Sequence, residues 1–460
     1  MFKKFIGDRA FYRRALAVAL PILIQNSITQ FVSLLDNIMV GRVGTAQMSG
    51  VAIANSLIFV FNMCIFGATS GAGIFTAQFY GSNDHLGIRH TFRFKILVCA
   101  ALSAAGIGIF SLGGQDLISL YLQGEGDTAT IASALEYGMG YLRIMMLGLL
   151  PFALSNAYSG TLRETGKTVV PMIAGITAVF VNLGLNFVLI FGKFGAPALG
   201  VNGAAIATVT SRCVELTIVA LWTHLKPVKN PFIQGAYRSF RIPMKLFRSI
   251  CTKGLPLLAN EFLWASGMAF LNQCYSIRSL DVVGALNISS TLFNLSSVAF
   301  MAMGNAVGII MGQMLGAGTG ETEIRDANRK LIAMSVASCA IFGGFMAAVS
   351  GIFPQIYNTT DSVRSIATGL ICVIAGIMPF NAYTTAGYFT LRSGGKTAVT
   401  FIFDSGFVWC VIVPIAFTLS RFTTMPILPL YAICQATDLI KCAIGHYMIK
   451  KGTWIQNLTV

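Results

Sequence analysis

The sequence is poor in charge. Asp, Glu, Lys and Arg make up 11% of its 460 residues, against roughly 25% in an ordinary soluble protein, and 55% of the chain is hydrophobic. A soluble globular protein is excluded on that ground. Histidine is scarce as well: His85, His90, His224 and His446 fall near expected helix ends or loops and form no His-x-x-x-His pair. A metal-dependent membrane hydrolase would have no ligand set. The ten cysteines, among them Cys64, Cys99, Cys251, Cys339 and Cys442, are scattered through apolar segments without a C-x-x-C pair, so they read as small core residues rather than metal ligands or disulfides. A nucleophile elbow and a phosphate-binding glycine loop are lacking too, so the expectation is a protein that is not an enzyme and holds no cofactor. Acidic residues are the scarcer sign, 17 against 32 basic, for a net charge of +15. In a chain this apolar the excess orients helices in a bilayer, and no nucleic-acid partner is expected.

What is abundant is long apolar runs. A helix rising about 1.5 Å per residue needs about 20 residues to cross about 30 Å of hydrocarbon. Twelve stretches reach that length: 15–40, 50–76, 94–113, 131–160, 168–192, 200–222, 249–275, 283–314, 330–350, 363–390, 397–420 and 426–449. The expected fold class is therefore an all-α membrane protein of twelve transmembrane helices. The basic start (Lys3, Lys4, Arg9, Arg13, Arg14) runs straight into the first stretch, which is too long for a signal peptide and lacks a small-residue cleavage site after it. With an even number of spans both termini share one side, and 25 Lys and Arg fall on that side against five opposite. That bias places both termini in the cytoplasm of a multi-pass plasma-membrane protein. The expected outer loop at 113–130 agrees, carrying Asp116, Glu125 and Asp127 and no base.

The longest polar segment, 226–248, contains Pro227, Pro231 and Pro243 and reads as a cytoplasmic linker between an N-terminal lobe at 1–225 and a C-terminal lobe at 249–460. An internal repeat supports two halves. Thr161-Leu-Arg-Glu-Thr-Gly-Lys-Thr168 recurs as Thr390-Leu-Arg-Ser-Gly-Gly-Lys-Thr397; Gln78 and Gly81 recur as Gln313 and Gly316; Leu20-Pro21 recurs as Leu255-Pro256. Each half holds an even number of spans, so the halves lie the same way up, related by a pseudo-two-fold along the membrane normal, and a binding site is expected at their interface. Gly304, Gly308, Gly312 and Gly316 recur every four residues, with Thr69, Gly73, Ala77 and Gly81 in the equivalent places; such stripes let helix backbones approach closely.

At this point the sequence resembles the multidrug and toxic compound extrusion (MATE) family of secondary transporters, over nearly the whole chain. The resemblance rests on Asp36-Asn-Ile-Met-Val-Gly-Arg42, the Gln78/Gly81 and Gln313/Gly316 entries, the two Thr-Leu-Arg-x-x-Gly-Lys-Thr elements, Gly200-Val-Asn-Gly-Ala-Ala-Ile-Ala-Thr208, and the ending from Gln435-Ala-Thr-Asp438 through Trp454. It implies an antiporter that expels organic cations and amphipathic drugs in exchange for Na⁺ or H⁺.

An ionisable group inside a span is a functional candidate by its cost alone. Asp36 lies about 31 Å up the first span. Asn182 and Asn186 climb about 21 and 27 Å along the fifth, and Thr208 lies about 12 Å in from the outer end of the sixth, so the four share one depth. The resemblance implies a cation site on the first and fifth spans, with Asn186 standing where a second acid is often found. The alternative for Asp36 is a helix-capping role beside Asn37 and Arg42. In the second half Glu261, about 18 Å along its span with no base within a helical turn, and Asp404 form a candidate proton or cation site, with Lys396 as a possible neutraliser of Asp404. An acid that some relatives carry on the tenth span is absent, leaving Asn381 as the nearest polar residue. Pairing within one helix is expected for Arg143 with Glu136, Arg212 with Glu215, and Asp438 with Lys441.

Polar uncharged residues concentrate in the first two spans of each half; Asn26, Gln30, Asn62, Asn260 and Asn287, with Asn381, are the candidate walls of a substrate cavity. Na⁺ at Asp36 or at Glu261 and Asp404, or a proton on Glu261, are the open choices of coupling ion, with the single isolated carboxylate favouring the proton. The expected partners are small organic cations and the bilayer, with the protein acting as a monomer. The rival reading is a lipid-linked oligosaccharide or lipid II flippase of the same superfamily; it would call for a basic cavity around a diphosphate, and the paired acids argue against it.

Overall fold

The computed structural model describes residues 4–41, 45–122, 128–357 and 359–459. Among the described residues there is no strand, and twelve long helices follow one another: α1 (Arg9–Gly41), α2 (Thr45–Gly81), α3 (His85–Tyr121), α4 (Thr128–Glu164), α5 (Val169–Phe191), α6 (Gly200–Leu225), α7 (Met244–Ser276), α8 (Leu280–Gly316), α9 (Glu321–Val349), α10 (Asp361–Ser393), α11 (Thr397–Phe422) and α12 (Ile427–Lys451). Eleven are long and apolar enough to cross a membrane. The exception is α7, which is 33 residues long but is diluted by Asn260, Glu261, Asn272 and Gln273. Most helices run a turn or more past the apolar stretches, because backbone pairing continues into the polar residues that flank them. The expected outer loop at 113–130 is shorter than its sequence suggested: α3 carries on through the glycine pair Gly113-Gly114 to Tyr121, held by the fully buried Ile118.

The repeat is visible in the helices themselves. Both α1 and α7 have 33 residues, and both α2 and α8 have 37. Pro21 and Pro256 lie inside α1 and α7, each thirteenth in its helix, where a missing N–H loosens the backbone ladder. One helix departs from α geometry: α11 passes through π-helical turns at Ile402–Gly406 and Val408–Ile412, a local widening often found at functional sites.

The chain forms two compact units. The N-terminal unit holds Ile24–Thr76 and His85–Cys251; the C-terminal unit holds Met1–Leu23, Ala77–Asp84 and Thr252–Val460. In the N-terminal unit the glycines of the sixth-span motif work as small residues should: a Cβ on Gly203 would lie 2.6 Å from the Leu189 carbonyl of α5. Lys95 of α3 forms a buried ion pair with Glu164 of α4 and donates to Thr161 Oγ1 at 3.2 Å.

The 226–248 segment does not behave as an open linker. Phe232, Ile233 and Ala236 are buried, and α3 holds the segment by its carbonyls. Arg93 donates to Ala236 and Gly235 at 2.8 Å each and to Arg241 at 3.2 Å, and Arg89 donates to Phe232 at 3.2 Å. Arg89 and Arg93, two of the 25 bases that the sequence places on the side of the termini, thus anchor the segment to its own unit.

In the C-terminal unit the glycine stripe of α8 is a packing surface. Cβ atoms on Gly304 and Gly308 would meet the Phe389 ring of α10, and one on Gly312 would meet Ala77 at 2.9 Å. Gln78, fully buried, donates to the Ser393 carbonyl at 2.9 Å and accepts from the Leu458 N–H at 2.7 Å. Trp454 is fully buried in the same unit and donates to the Ile449 carbonyl.

Candidate functional site

In the N-terminal unit Asn182, Asn186 and Thr208 come together as their depths suggested. Asn186 Nδ2 donates to Asn182 Oδ1 at 3.1 Å, Asn182 Nδ2 donates to Thr208 Oγ1 at 3.3 Å, and Thr208 donates to the Ala204 carbonyl at 3.0 Å. Both asparagines are buried. The spacing of four puts the two amides on one face of α5, turned toward α6, which the glycines of α6 bring close. Asp36 belongs to α1, but its side chain lies outside the described residues, as does Arg42. What is described of this cluster is neutral: two amides and a hydroxyl, able to offer oxygen ligands or hydrogen bonds but no charge.

The C-terminal unit carries the described acids of the candidate site. Asp404 sits in the first π-helical turn of α11. Its Oδ1 accepts from Lys441 Nζ at 2.6 Å and its Oδ2 accepts from Asn260 Nδ2 at 3.2 Å. Asn260 is in turn fixed by Ser405, whose hydroxyl donates to Asn260 Oδ1 at 2.8 Å and whose N–H donates to the same oxygen at 3.3 Å. One turn on, Trp409 Nε1 donates to the Leu263 carbonyl at 2.8 Å. α7 and α11 are therefore stitched together along one seam, and the widened turns of α11 aim Asp404 between α7 and α12.

Two expectations need correcting here. Asp404 is neutralised by Lys441, not Lys396, and Lys441 spends its charge on α11 rather than pairing with Asp438 three residues away. Lys441 is 9% exposed, although it is one of the 25 bases that the sequence places on the side of the termini. Glu261 is also less isolated than its own helix implied, because α10 brings Arg392 within electrostatic range, along with Asp404. Even so, among the described residues Glu261 makes no hydrogen bond and no ion pair. Of the other expected pairs, Arg212 and Glu215 stand 3.8 Å apart, whereas Glu136 and Arg143, two turns apart on α4, are both exposed and unjoined.

The candidate cavity residues differ in setting. Asn26, Asn62 and Asn381 are half-buried, Gln30 and Asn287 are exposed, and Asn260 is buried with its amide committed to Asp404 and Ser405. Sequence reasoning missed the partner of Lys441, and it missed that of Arg163, which donates to Gln25 at 2.7 Å in the N-terminal unit. The signal available for Lys441 was its depth: it lies ten residues, or about 15 Å, inside the end of α12.

Comparison with known proteins gives a consistent picture. The MatE family model matches residues 21–188 and 256–418. A probable multidrug resistance protein NorM of Thermotoga maritima is 22% identical over 96% of this chain and 93% of its own length, and the multidrug resistance protein MdtK of Edwardsiella ictaluri is 25% identical over 89% and 87%. Among solved structures, an outward-facing conformation of a multidrug resistance MATE family transporter of the MOP superfamily superposes with a TM-score of 0.86 at 17% identity, covering 98% of both chains. A MOP superfamily transporter from Pyrococcus furiosus, described as having a binding pocket of reversed polarity, gives 0.84 at 18% identity over 97% of both.

Proposed function

The chain belongs to the MatE family of multidrug efflux transporters, and from that membership we propose that it is a secondary antiporter, exporting organic cations or amphipathic drugs in exchange for protons. The observation that carries the proposal is Glu261: a carboxylate in the seventh helix, without hydrogen bond or ion pair among the described residues, beside an Asp404 that already has its cation. An unpaired acid in a span costs too much to persist without a task. Exchange of a proton or a drug cation on one such group is sufficient for coupling, provided the two ligands favour different orientations of the transporter.

The choice of proton over Na⁺ follows from the ligand sets. A dehydrated Na⁺ wants several fixed oxygens with net negative charge, whereas the described part of the N-terminal cluster is neutral and Asp404 is neutralised. In this reading Asp36 supplies the charge that Asn182, Asn186 and Thr208 lack; Asn26, Gln30 and Asn62 are the drug-contacting candidates of the N-terminal unit, and Asn287 and Asn381 those of the C-terminal unit. Both termini and the 226–248 segment face the cytoplasm of a plasma-membrane protein, following the charge bias. The protein works as a monomer and needs no cofactor beyond the coupling ion.

The test is accumulation of a fluorescent organic cation by inverted membrane vesicles, energised in turn by a pH gradient and by a Na⁺ gradient. Accumulation under the pH gradient is expected, with Asp36→Asn strongly impaired. Failure of both gradients to drive any organic cation would overturn the antiporter reading.

A further inference from the structure

Around Lys441 the charged groups of the C-terminal unit can be counted from every helix packed against it. On α11 there is Asp404, in contact at 2.6 Å; on α12 itself Asp438, within electrostatic range of both Lys441 and Asp404; on α7 Glu261; and on α10 Arg392, within range of Glu261. The neutral titratable neighbours include Tyr388 of α10, within range of Arg392, Glu261 and Asp404, and on α12 Tyr431, within range of Asp438, and Cys442. Farther along α12, His446 is exposed and hydrogen-bonded to Tyr383 at 3.0 Å. Among the described residues of the C-terminal unit three acids face two bases, so this set in its ionised form carries one negative charge in excess.

We propose that Lys441 is a tethered counter-cation that sets the cation capacity of the C-terminal unit at one: it occupies Asp404 and stays within electrostatic range of Asp438 three residues away, which leaves Glu261 as the acid open to exchange. This rests on the reading of Glu261 as the coupling group. The geometry suits the role. Nζ lies on one carboxylate oxygen while Asn260, itself locked by Ser405, holds the other. The ammonium also lies 5.3 Å from the centre of the Phe403 ring, a cation–π contact that favours a charged group there. A mobile cation would have to displace an ammonium that cannot diffuse away, so Asp404 is withheld from it. Lys441 is thereby a positioning residue for the stoichiometry of exchange rather than a ligand of the transported species.

The experiment is the pH dependence of tetraphenylphosphonium affinity, measured on the purified full-length protein in lipid nanodiscs. By linkage, each proton expelled on binding steepens the dependence by up to about tenfold in affinity per pH unit. Lys441→Met is expected to steepen the wild-type dependence by up to that amount, because the freed Asp404 takes up a proton that the drug must expel. Lys441→Gln, which keeps a hydrogen-bond donor near Asp404 and so protects the fold, should do the same. Lys441→Arg should keep the wild-type slope, and adding Asp404→Asn to either neutral variant should restore it. Infrared spectroscopy gives a ligand-independent readout: a protonated-carboxyl C=O band gained in Lys441→Gln and lost in Lys441→Gln/Asp404→Asn. An unchanged slope and spectrum in both neutral variants would overturn the proposal, as would a gain that survives Asp404→Asn. A wild-type affinity indifferent to pH would instead overturn the role of Glu261, leaving the infrared comparison to judge Lys441.

Discussion

Gly316 at the end of α8 lies directly against the backbone carbonyl of Gln78 at the end of α2, and the relationship is reciprocal: Gly81 of α2 lies directly against the carbonyl of Gln313 of α8. Both contacts are made within the C-terminal unit. The repeat-related pairs Gln78/Gly81 and Gln313/Gly316 thus form one two-way contact, in which each glycine admits the other helix's backbone. No side chain fits at either position, since the obstructing atom is a carbonyl and not the end of a flexible chain.

Gly316→Ala should therefore cost about 1–3 kcal/mol, the range for an extra carbon forced into a packed interior. The check is thermal unfolding in detergent, with Gly344→Ala as the control: a Cβ on Gly344 meets open space, and alanine is the better helix former by about 1 kcal/mol. The control should melt at or above the wild-type temperature and Gly316→Ala below it. Equal melting of Gly316→Ala and wild type would contradict the packing.

The buried pair of Lys95 and Glu164 should behave asymmetrically. Removing the acid, as in Glu164→Met, strands the ammonium of Lys95, which is 1% exposed, and should destabilise the protein by about 3–5 kcal/mol, while Lys95→Met/Glu164→Met should recover most of the loss. In the second half Ser393 stands in the place of Glu164, so this pair is an asymmetric support of the N-terminal unit. Additive losses in the double variant, read from the same melting curves, would argue against it.

Docking of the 226–248 segment predicts protease resistance. Arg93→Gln removes the guanidinium that holds Gly235, Ala236 and Arg241, and loss of even about 1.4 kcal/mol of local stability raises the open population roughly tenfold. Trypsin should cut at Arg238 or Arg241 correspondingly faster in inverted vesicles of the variant than of wild type. Right-side-out vesicles should be spared in both. Equal rates would contradict the docking, and cutting from outside the cell would contradict the topology.

Periodicity and spacing go far in this chain. The helices, the two-fold repetition, the packing use of the Gly304 to Gly316 stripe and the Asn182–Asn186–Thr208 chain all follow from residues three or four apart on one helix, or from equal depth on adjacent ones. The Asp404–Lys441 pair does not. Its partners lie 37 positions apart on different helices, and in a bilayer every face of a helix is apolar enough that hydrophobic pattern does not say which face meets which neighbour. Arg392 approaches Glu261 for the same reason, and the arginine clamp on 226–248 looked like ordinary flanking charge because Lys and Arg at helix ends usually are. The π-helical turns that aim Asp404 leave no periodic signature in 26 residues of mostly apolar sequence.

The most direct test of the account is whether drug movement carries protons through Glu261. In proteoliposomes at constant Na⁺ with a pH-sensitive dye in the lumen, a pulse of tetraphenylphosphonium should move protons against the drug flux in wild type. The signal should disappear in Glu261→Gln while that variant still melts as a folded protein. Drug flux that requires added Na⁺, is indifferent to a proton uncoupler and survives Glu261→Gln would contradict the account.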